Sequence, residues 1–201
     1  MKQKRLSIIG PEPVSLLEAR RQCYLTNEST EEDLLLTRLI DAARDYAEKE
    51  IWRAITPAVY LAFADSFPVE IELPRPPVIE IKKIEYINSV GDKVELDESE
   101  YRVDTISEPA RIKPVGAWPQ THPDEYNAVQ VTYKAGYSKV INSKNNENNC
   151  PEAVKNAILM MVKHFYDNPE AVVVSGGGVS VHEVPMGAID LLNQESARIF
   201  A

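Results

Sequence analysis

The stretch from Thr30 to Trp52 limits what this chain can fold into more than any other part of the sequence. Two overlapping signals open it, Ser29 with Glu32 and Thr30 with Asp33. Each places a hydroxyl and a carboxylate where they can satisfy the free N–H groups of a first helical turn. Apolar residues then recur at helical spacing up to Trp52, which predicts one long amphipathic helix.

The apolar side of this predicted helix consists of two neighbouring stripes. The first stripe is Leu35, Leu39, Ala42 and Tyr46. The second stripe is Leu36, Ile40, Ala43, Ala47 and Ile51. The polar residues fall largely on the opposite side, and they are Arg38, Asp41, Asp45, Glu48 and Lys49. Because one packing partner can hardly cover both stripes, we expect the surplus to be covered by other helices or by an adjacent subunit.

Two further helices are predicted to pack on this one. Ser15 with Glu18 forms a capping box that begins a short helix at about 16–24, so the N-terminal region is expected to be a helical hairpin. Asn149 with Glu152 forms a second capping box before another amphipathic helix. The apolar stripe of that helix is Val154, Ile158, Met161 and Phe165.

Between these helical regions the apolar pattern changes to a period of two, with short runs bounded by prolines. This predicts antiparallel β-strands over residues 57–137. In the run VIEIKKIEYI one face is apolar, and the paired Lys82 and Lys83 indicate an irregularity. The sequence NSVGD supplies the turn that follows, and the last strand is predicted to end at Gly136.

The predicted fold class is therefore α+β, with a small α-helical bundle (N-terminal helical hairpin plus C-terminal helices) and an inserted antiparallel β module. We expect a single domain over residues 1–201. Its predicted parts are core helices at about 15–55 and 151–168, the β module at 57–137, an asparagine-rich exposed loop at 138–150, and an arm with a short C-terminal helix at 169–201.

The C-terminal region carries two valine-rich pieces around a glycine centre. Such a segment could form a hairpin, or an arm that adds to a sheet of a neighbouring subunit. The second possibility gives a hypothesis for residues of a subunit interface. They are Val172, Val173, Val174, Gly176, Gly177, Gly178, Val179 and Val181.

Composition argues against several classes of function. The formal net charge is −9 and no clustered Lys and Arg appear, so any meeting with DNA is expected to be passive. No apolar run approaches the roughly 20 residues that span a bilayer, so we expect no membrane partner. Cys23 and Cys150 lie far apart without CxxC spacing, which indicates free thiols.

The residue patterns of catalysis are not found either. His122, His164 and His182 lack metal-ligand spacing, and SGGG is not followed by the Lys-Ser/Thr pair of a phosphate loop. Cys150 has no identifiable base. We therefore predict no catalytic, cofactor-binding or metal-binding residues, no cofactor and no enzyme activity. Two alternatives stay open, a small enzyme or enzyme subunit with a site assembled from distant residues, and a monomeric regulatory binding module.

Several phrases, taken in order, resemble one family. They are PVSLLEAR, EEDLLLTRLIDAARDYAEKEIWRAI, LPRPPVIEIKKIEYINSVGDKVELDESEYRVD, RIKPVGAWP, VQVTYKAGY, PEAVKNAILMMVKHFYDNPEAV and VPMGAIDLLN. Together they are similar to the small head-tail connector (head-completion adaptor) proteins of tailed bacteriophages and prophages. The resemblance runs from about Pro13 to Leu192, and the longer asparagine-rich loop and the SGGG arm depart from it.

The resemblance implies a structural protein that forms a ring under the portal of the capsid. Such a ring extends the DNA channel used in DNA packaging and joins the capsid to the tail. The implied partners are other copies of the chain, the portal protein, a tail or stopper protein, and DNA only as a passive passenger in the channel. The implied location is the head-tail junction of the virion, after assembly in the bacterial cytoplasm.

Overall fold

A computed structural model describes residues 1–26, 30–142, 145–169 and 184–197 of the chain. The chain divides into two compact units. The first, which we call the β unit, consists of Met1–Pro11, Trp52–Asn148 and Ala197–Ala201. The second, the helical unit, consists of Glu12–Ile51 and Asn149–Ser196. The predicted α+β class is confirmed.

The helical unit contains four helices among the described residues. They are α1 (Leu16–Gln22), α2 (Asp33–Ile51), α3 (Glu152–Asp167) and α4 (Met186–Asn193). Helix α2 packs on α3, α3 packs on α4, and α1 contacts both α2 and α3. The buried residues of α3 recur at helical spacing, as the sequence predicts: Val154, Ala157, Ile158, Met161 and Val162.

The helix starts agree with prediction at α1 and differ at α2 and α3. At α1 the Ser15 Oγ accepts from the backbone N–H of Glu18 (3.2 Å), and the Glu18 carboxylate accepts from the backbone N–H of Ser15 (2.7 Å). Helix α2 begins at Asp33, after the predicted Thr30, and Ser29 lies outside the described residues. The predicted cap at Asn149 is wrong, because Pro151 occupies the N-cap of α3 and has no side-chain donor or acceptor.

The capping box of α1 gives the helical unit a pH dependence. The hydrogen bonds from the Ser15 hydroxyl and backbone N–H lower the pKa of Glu18. A carboxylate with a lowered folded-state pKa stabilises the fold above its unfolded pKa of about 4.3, and this contribution is lost as pH falls through the folded value. We expect Glu18→Gln to cost about 0.5–1 kcal/mol at neutral pH, with the difference from wild type shrinking below pH ~4 in urea titrations. A difference that is constant with pH would contradict this role for the carboxylate.

The described residues of the β unit form ten strands. They are β1 (Lys2–Ile8), β2 (Ala58–Ala64), β3 (Ile71–Leu73), β4 (Val78–Ile87), β5 (Lys93–Glu95), β6 (Tyr101–Asp104), β7 (Ala110–Pro114), β8 (Val129–Ala135), β9 (Lys139–Asn142) and β10 (Asn145–Glu147). They form a five-stranded sheet in the order β1-β2-β8-β4-β5, a three-stranded sheet β3-β7-β6 and a hairpin β9-β10. Every pairing is antiparallel.

Buried side chains from the two larger sheets form one hydrophobic core. The rings of Tyr60 and Tyr133 stack within it, with centroids 5.7 Å apart. Ile71 and Ile112 enter the same core from the three-stranded sheet. The alternation of buried and more exposed residues along β2 and β8 is what the period-two pattern of the sequence predicts.

Local features of β4 also agree with the sequence. The pairing of β4 with β8 shifts register between Ile81 and Lys83, at the paired lysines. The turn that follows is closed by Asn88, whose Oδ1 accepts from the backbone N–H groups of Val90 (3.0 Å) and Asp92 (2.9 Å). A short polar side chain at a turn therefore replaces the backbone partners that the strand loses there.

Two parts of the β unit differ from the predicted boundaries. Strand β1 comes from the N-terminus and joins the β unit, which is therefore larger than the predicted insertion at 57–137. The segment 138–150, expected to be an exposed loop, contains β9 and β10 and two buried residues, Asn148 and Cys150. The Asn148 amide donates to the carbonyls of Pro11 (3.2 Å) and Ile55 (3.0 Å), which explains how a polar residue is buried here.

Candidate interaction surface

The two apolar stripes of α2 have different environments. The second stripe is buried, and Leu36 within it has 0% of its surface exposed. The first stripe is only partly covered: Leu35 is 47% exposed, Ala42 is exposed, and Leu39 and Tyr46 are partly buried. The surplus apolar surface expected from the sequence is therefore present on the folded chain. A row of apolar side chains along one helix is a surface that another molecule can cover.

Arg44 of α2 lies at the centre of a network of four carboxylates. Its side chain is 2% exposed, and its guanidinium lies 3.1 Å from Glu12, 3.5 Å from Asp41 and 3.9 Å from Glu48, with Asp45 also in contact. Burial opposes the charge on Arg44, but the carboxylates of Glu12, Asp45 and Glu48 outweigh it and raise the pKa of the guanidinium. Removing either member of a pair buried in this way is costly, because the remaining charge loses its compensation.

Glu48 is buried, although helical spacing predicts it on the polar side of α2. The reason is Arg44, one turn earlier, which supplies a cation four residues away along the helix. Helical periodicity alone does not reveal that a polar residue has a buried partner.

The β unit carries a second exposed feature, a corner formed by Trp52 and the proline-rich segment that follows β3. Trp52 is 48% exposed, and the Arg75 guanidinium lies 5.8 Å from the centroid of its ring. The segment is tied to the core, because the Tyr133 hydroxyl donates to the Pro74 carbonyl at 2.6 Å and the Ala54 N–H donates to the Pro76 carbonyl at 3.0 Å. A cavity of about 140 Å³ opens beside Trp52.

The backbone at this corner is constrained. Trp52 and Arg75 both have positive φ, at 59° and 63°, which is uncommon for residues other than glycine. The Arg53 guanidinium lies 2.6 Å from the Glu108 carboxylate, which joins two loops at the same corner. Trp and Arg are enriched in the centres of protein interfaces, so a rigidly presented Trp–Arg pair fits a protein contact better than a catalytic site.

An open groove lies elsewhere on the β unit. Phe67 stacks on Trp118, with ring centroids 4.6 Å apart and planes 8° apart. Two serines, a glutamine, a threonine and two prolines complete the lining. No charged side chain lines this groove among the described residues.

The candidate reactive residues are inert or scattered. Burial raises the pKa of Cys150 to about 12 and also raises the pKa of Cys23, so both thiols stay protonated at neutral pH. His122 lies in a loop, His164 lies in α3, and His182 falls outside the described residues. Within the described part of the chain, no group of three or more His, Cys, Asp and Glu could hold a metal ion. None of the described helices is long and apolar enough to cross a membrane.

The predicted arm cannot be placed. All of its residues lie outside the described part of the chain: Val172, Val173, Val174, Gly176, Gly177, Gly178, Val179 and Val181. The hypothesis that they form a subunit interface stays a prediction.

Solved structures similar to this chain include three from gene transfer agent particles. One is a chain in the neck of an empty gene transfer agent (GTA) particle computed with C6 symmetry, with 16% identity and a TM-score of 0.70. The others belong to the virion of the native particle (16%, 0.71) and to the neck of the native particle computed with C12 symmetry (16%, 0.68). Each match covers 98% of this chain and 95% of the other.

The chain has the fold of a GTA particle component. No family model and no curated protein matches its sequence. At 16% identity the likeness establishes the fold and leaves function to be argued from the chain's own surfaces.

Two surface features were missed by sequence reasoning. In the β1 sequence KQKRLSI only Leu6, Ser7 and Ile8 alternate between apolar and polar, which is too short a pattern to predict the strand. The Trp52–Arg75 corner gave no such signal, since positive φ is not expected at Trp or Arg and their contact spans distant parts of the chain.

Proposed function

We propose that this chain is a structural head-tail connector, or adaptor, of a tailed phage or prophage. It forms a ring under the portal, extends the DNA channel and joins the capsid to the tail. The observation that carries the proposal is the partly exposed apolar stripe of α2. The similarity to chains of GTA particles, two of them from necks computed with six-fold and twelve-fold symmetry, supports a ring.

The energetics of the stripe favour assembly. Leu35 and Leu39 would each lose further exposed apolar area against a neighbouring subunit, at about 25 cal/mol per Å². Helix contacts of this kind, repeated around a symmetric ring, stabilise every copy equally. The rigid Trp52–Arg75 corner is a second contact surface, suited to the portal protein or to a tail or stopper protein.

The charge of the chain suits a channel wall. At −9 per copy a ring repels the phosphate backbone, so that DNA passes through without binding. DNA is then a passive passenger during packaging. The proposed location is the head-tail junction of the virion, with assembly in the bacterial cytoplasm.

The arm from Val172 to Val181 is a further proposed subunit contact. Two valine-rich pieces around Gly176 to Gly178 can pair with a sheet of the adjacent copy through their backbone groups. In this arrangement the helix stripe and the arm contribute to the same ring.

Light scattering across protein concentrations, with the chain alone and with portal protein, tests the proposal. Wild-type protein is expected to form rings by itself or on the portal. Leu35→Gln with Leu39→Gln is expected to weaken assembly by about tenfold or more, because about 1.5–3 kcal/mol of apolar burial is lost. Deleting 172–181 is expected to weaken assembly while the fold is kept.

The matched control is Arg38→Gln, an exposed position on the polar side of the same helix. It is expected to assemble as wild type does. A chain that stays monomeric and also fails to bind portal protein would overturn the adaptor function. Rings that form equally well in the double glutamine variant would overturn the role of the stripe, and rings unaffected by the deletion would overturn the role of the arm.

A further inference from the structure

The five-stranded sheet of the β unit ends in two open edges. Among the described residues, β1 pairs only with β2, and β5 pairs only with β4. An edge strand presents backbone N–H and C=O groups that can pair with another strand. Any chain that adds to this sheet must do so along one of these two edges.

The first edge is basic. Residues 1–11 contain Lys2, Lys4 and Arg5 and no acidic residue, so this segment carries +3 while the rest of the chain carries −12, given −9 in total. The side chains of Lys2 and Lys4 are exposed. The strand also presents apolar surface, since Leu6 is 50% exposed and Ile8 is 42% exposed.

The second edge is acidic. From β5 through the 3-10 turn at Glu98–Glu100, the segment 92–100 contains five acidic residues and one lysine, a net charge of −4. Glu95, Asp97, Glu98 and Glu100 are exposed. Lys93 is directed back onto the sheet, where its Nζ lies 3.1 Å from the Glu85 carboxylate.

We propose that β1 of one copy docks on the acidic β5 edge of the next copy, so that the five-stranded sheet continues from subunit to subunit. Opposite charge attracts these two edges, whereas two β1 edges or two β5 edges repel each other. The contact joins different patches of identical chains, and such head-to-tail contacts close into rings when the rotation permits. The inference rests on the proposed function for the ring and names the surfaces that would build it.

A nucleic acid is the competing occupant of a basic strand. Three basic residues neutralise few phosphates, and the remaining −12 of the chain repels the backbone. The exposed Leu6 and Ile8 of β1 favour a protein partner over DNA. A second copy of the chain offers an acidic edge for the basic side chains of β1 and a strand, β5, for its backbone groups.

Charge reversal in trans tests the docking. One variant carries Lys2→Glu with Lys4→Glu, which changes the net charge of residues 1–11 from +3 to −1. The other carries Glu95→Lys, Glu98→Lys and Glu100→Lys, which changes the net charge of residues 92–100 from −4 to +2. Each alone is expected to associate more than about tenfold less tightly than wild type, because like charges then face each other. Mixing the two variants is expected to restore association, since every contact in an alternating ring is again between opposite charges. Sedimentation velocity at low and high salt measures both effects, and high salt is expected to reduce them.

The matched control reverses two exposed charges on the three-stranded sheet, Arg102→Glu with Lys113→Glu, and is expected to associate as wild type does. Circular dichroism checks that all variants fold.

If either variant associates like wild type, or if the mixture does not regain association, the edge contact is overturned while the adaptor function stands. If wild-type protein forms no ring alone or on the portal, the adaptor function itself fails. If the variant with Lys2→Glu and Lys4→Glu associates like wild type but binds DNA less tightly than wild type, β1 contacts nucleic acid instead.

Discussion

Leu36→Ala is expected to lower the free energy of unfolding by about 2–5 kcal/mol, the usual range for truncating a fully buried leucine. Leu36 is 0% exposed, in the stripe of α2 that faces the core of the helical unit. Removing its side chain leaves a cavity that the packed helices fill only partly. Urea unfolding followed by circular dichroism measures the change.

The neighbouring residue provides the control. Leu35→Ala is expected to change the free energy of unfolding by less than about 1 kcal/mol, because Leu35 is already 47% exposed. The same substitution is expected to weaken assembly. Equal losses of stability in the two variants would mean that both stripes belong to the core, and the case for α2 as an interface would fail.

Arg44→Ala is expected to lower the free energy of unfolding by about 3–5 kcal/mol, because it removes a cation that compensates the buried carboxylate of Glu48. The cost arises from the lost compensation of a buried charge rather than from the ion pair itself. Arg44→Met with Glu48→Leu is therefore expected to recover much of the lost stability, since both buried charges are then replaced by apolar groups. Thermal and urea unfolding of the single and double variants give the comparison.

Arg38→Ala is the matched control for Arg44. It removes an exposed arginine from the same helix and is expected to change stability by no more than about 0.5 kcal/mol. A double variant no more stable than Arg44→Ala would indicate that Glu12, Asp41 and Asp45 depend on the guanidinium more than Glu48 does.

Local sequence signals predicted much of the fold. The two stripes of α2, the Ser15 capping box and the irregularity at Lys82 and Lys83 each follow from residues that are close together in the chain. The failures are non-local. Strand β1 pairs Lys2 with Phe63, and Glu48 is buried because of a network that includes Glu12. Neither contact leaves a periodic trace in the sequence.

One candidate surface also follows from local sequence, whereas another depends on contacts between distant parts of the chain. The stripe led by Leu35 could be predicted because it follows from helical spacing alone. The charges of the two sheet edges are visible in the sequence, but their meaning depends on the strand order β1-β2-β8-β4-β5, which places residues 2–8 and 93–95 at opposite edges of one sheet. Strand order is set by the packing of the whole β unit, and pattern reasoning does not reach it.

The buried amide of Asn148 bears on when the fold can be completed. Its two hydrogen bonds reach carbonyls 137 and 93 residues earlier in the chain. During synthesis the N-terminal strand and the start of the inserted sheet emerge long before their common donor does. These two hydrogen bonds can therefore form only after residue 148 has left the ribosome. In a chain interrupted before that point, the carbonyls of Pro11 and Ile55 would lack this donor.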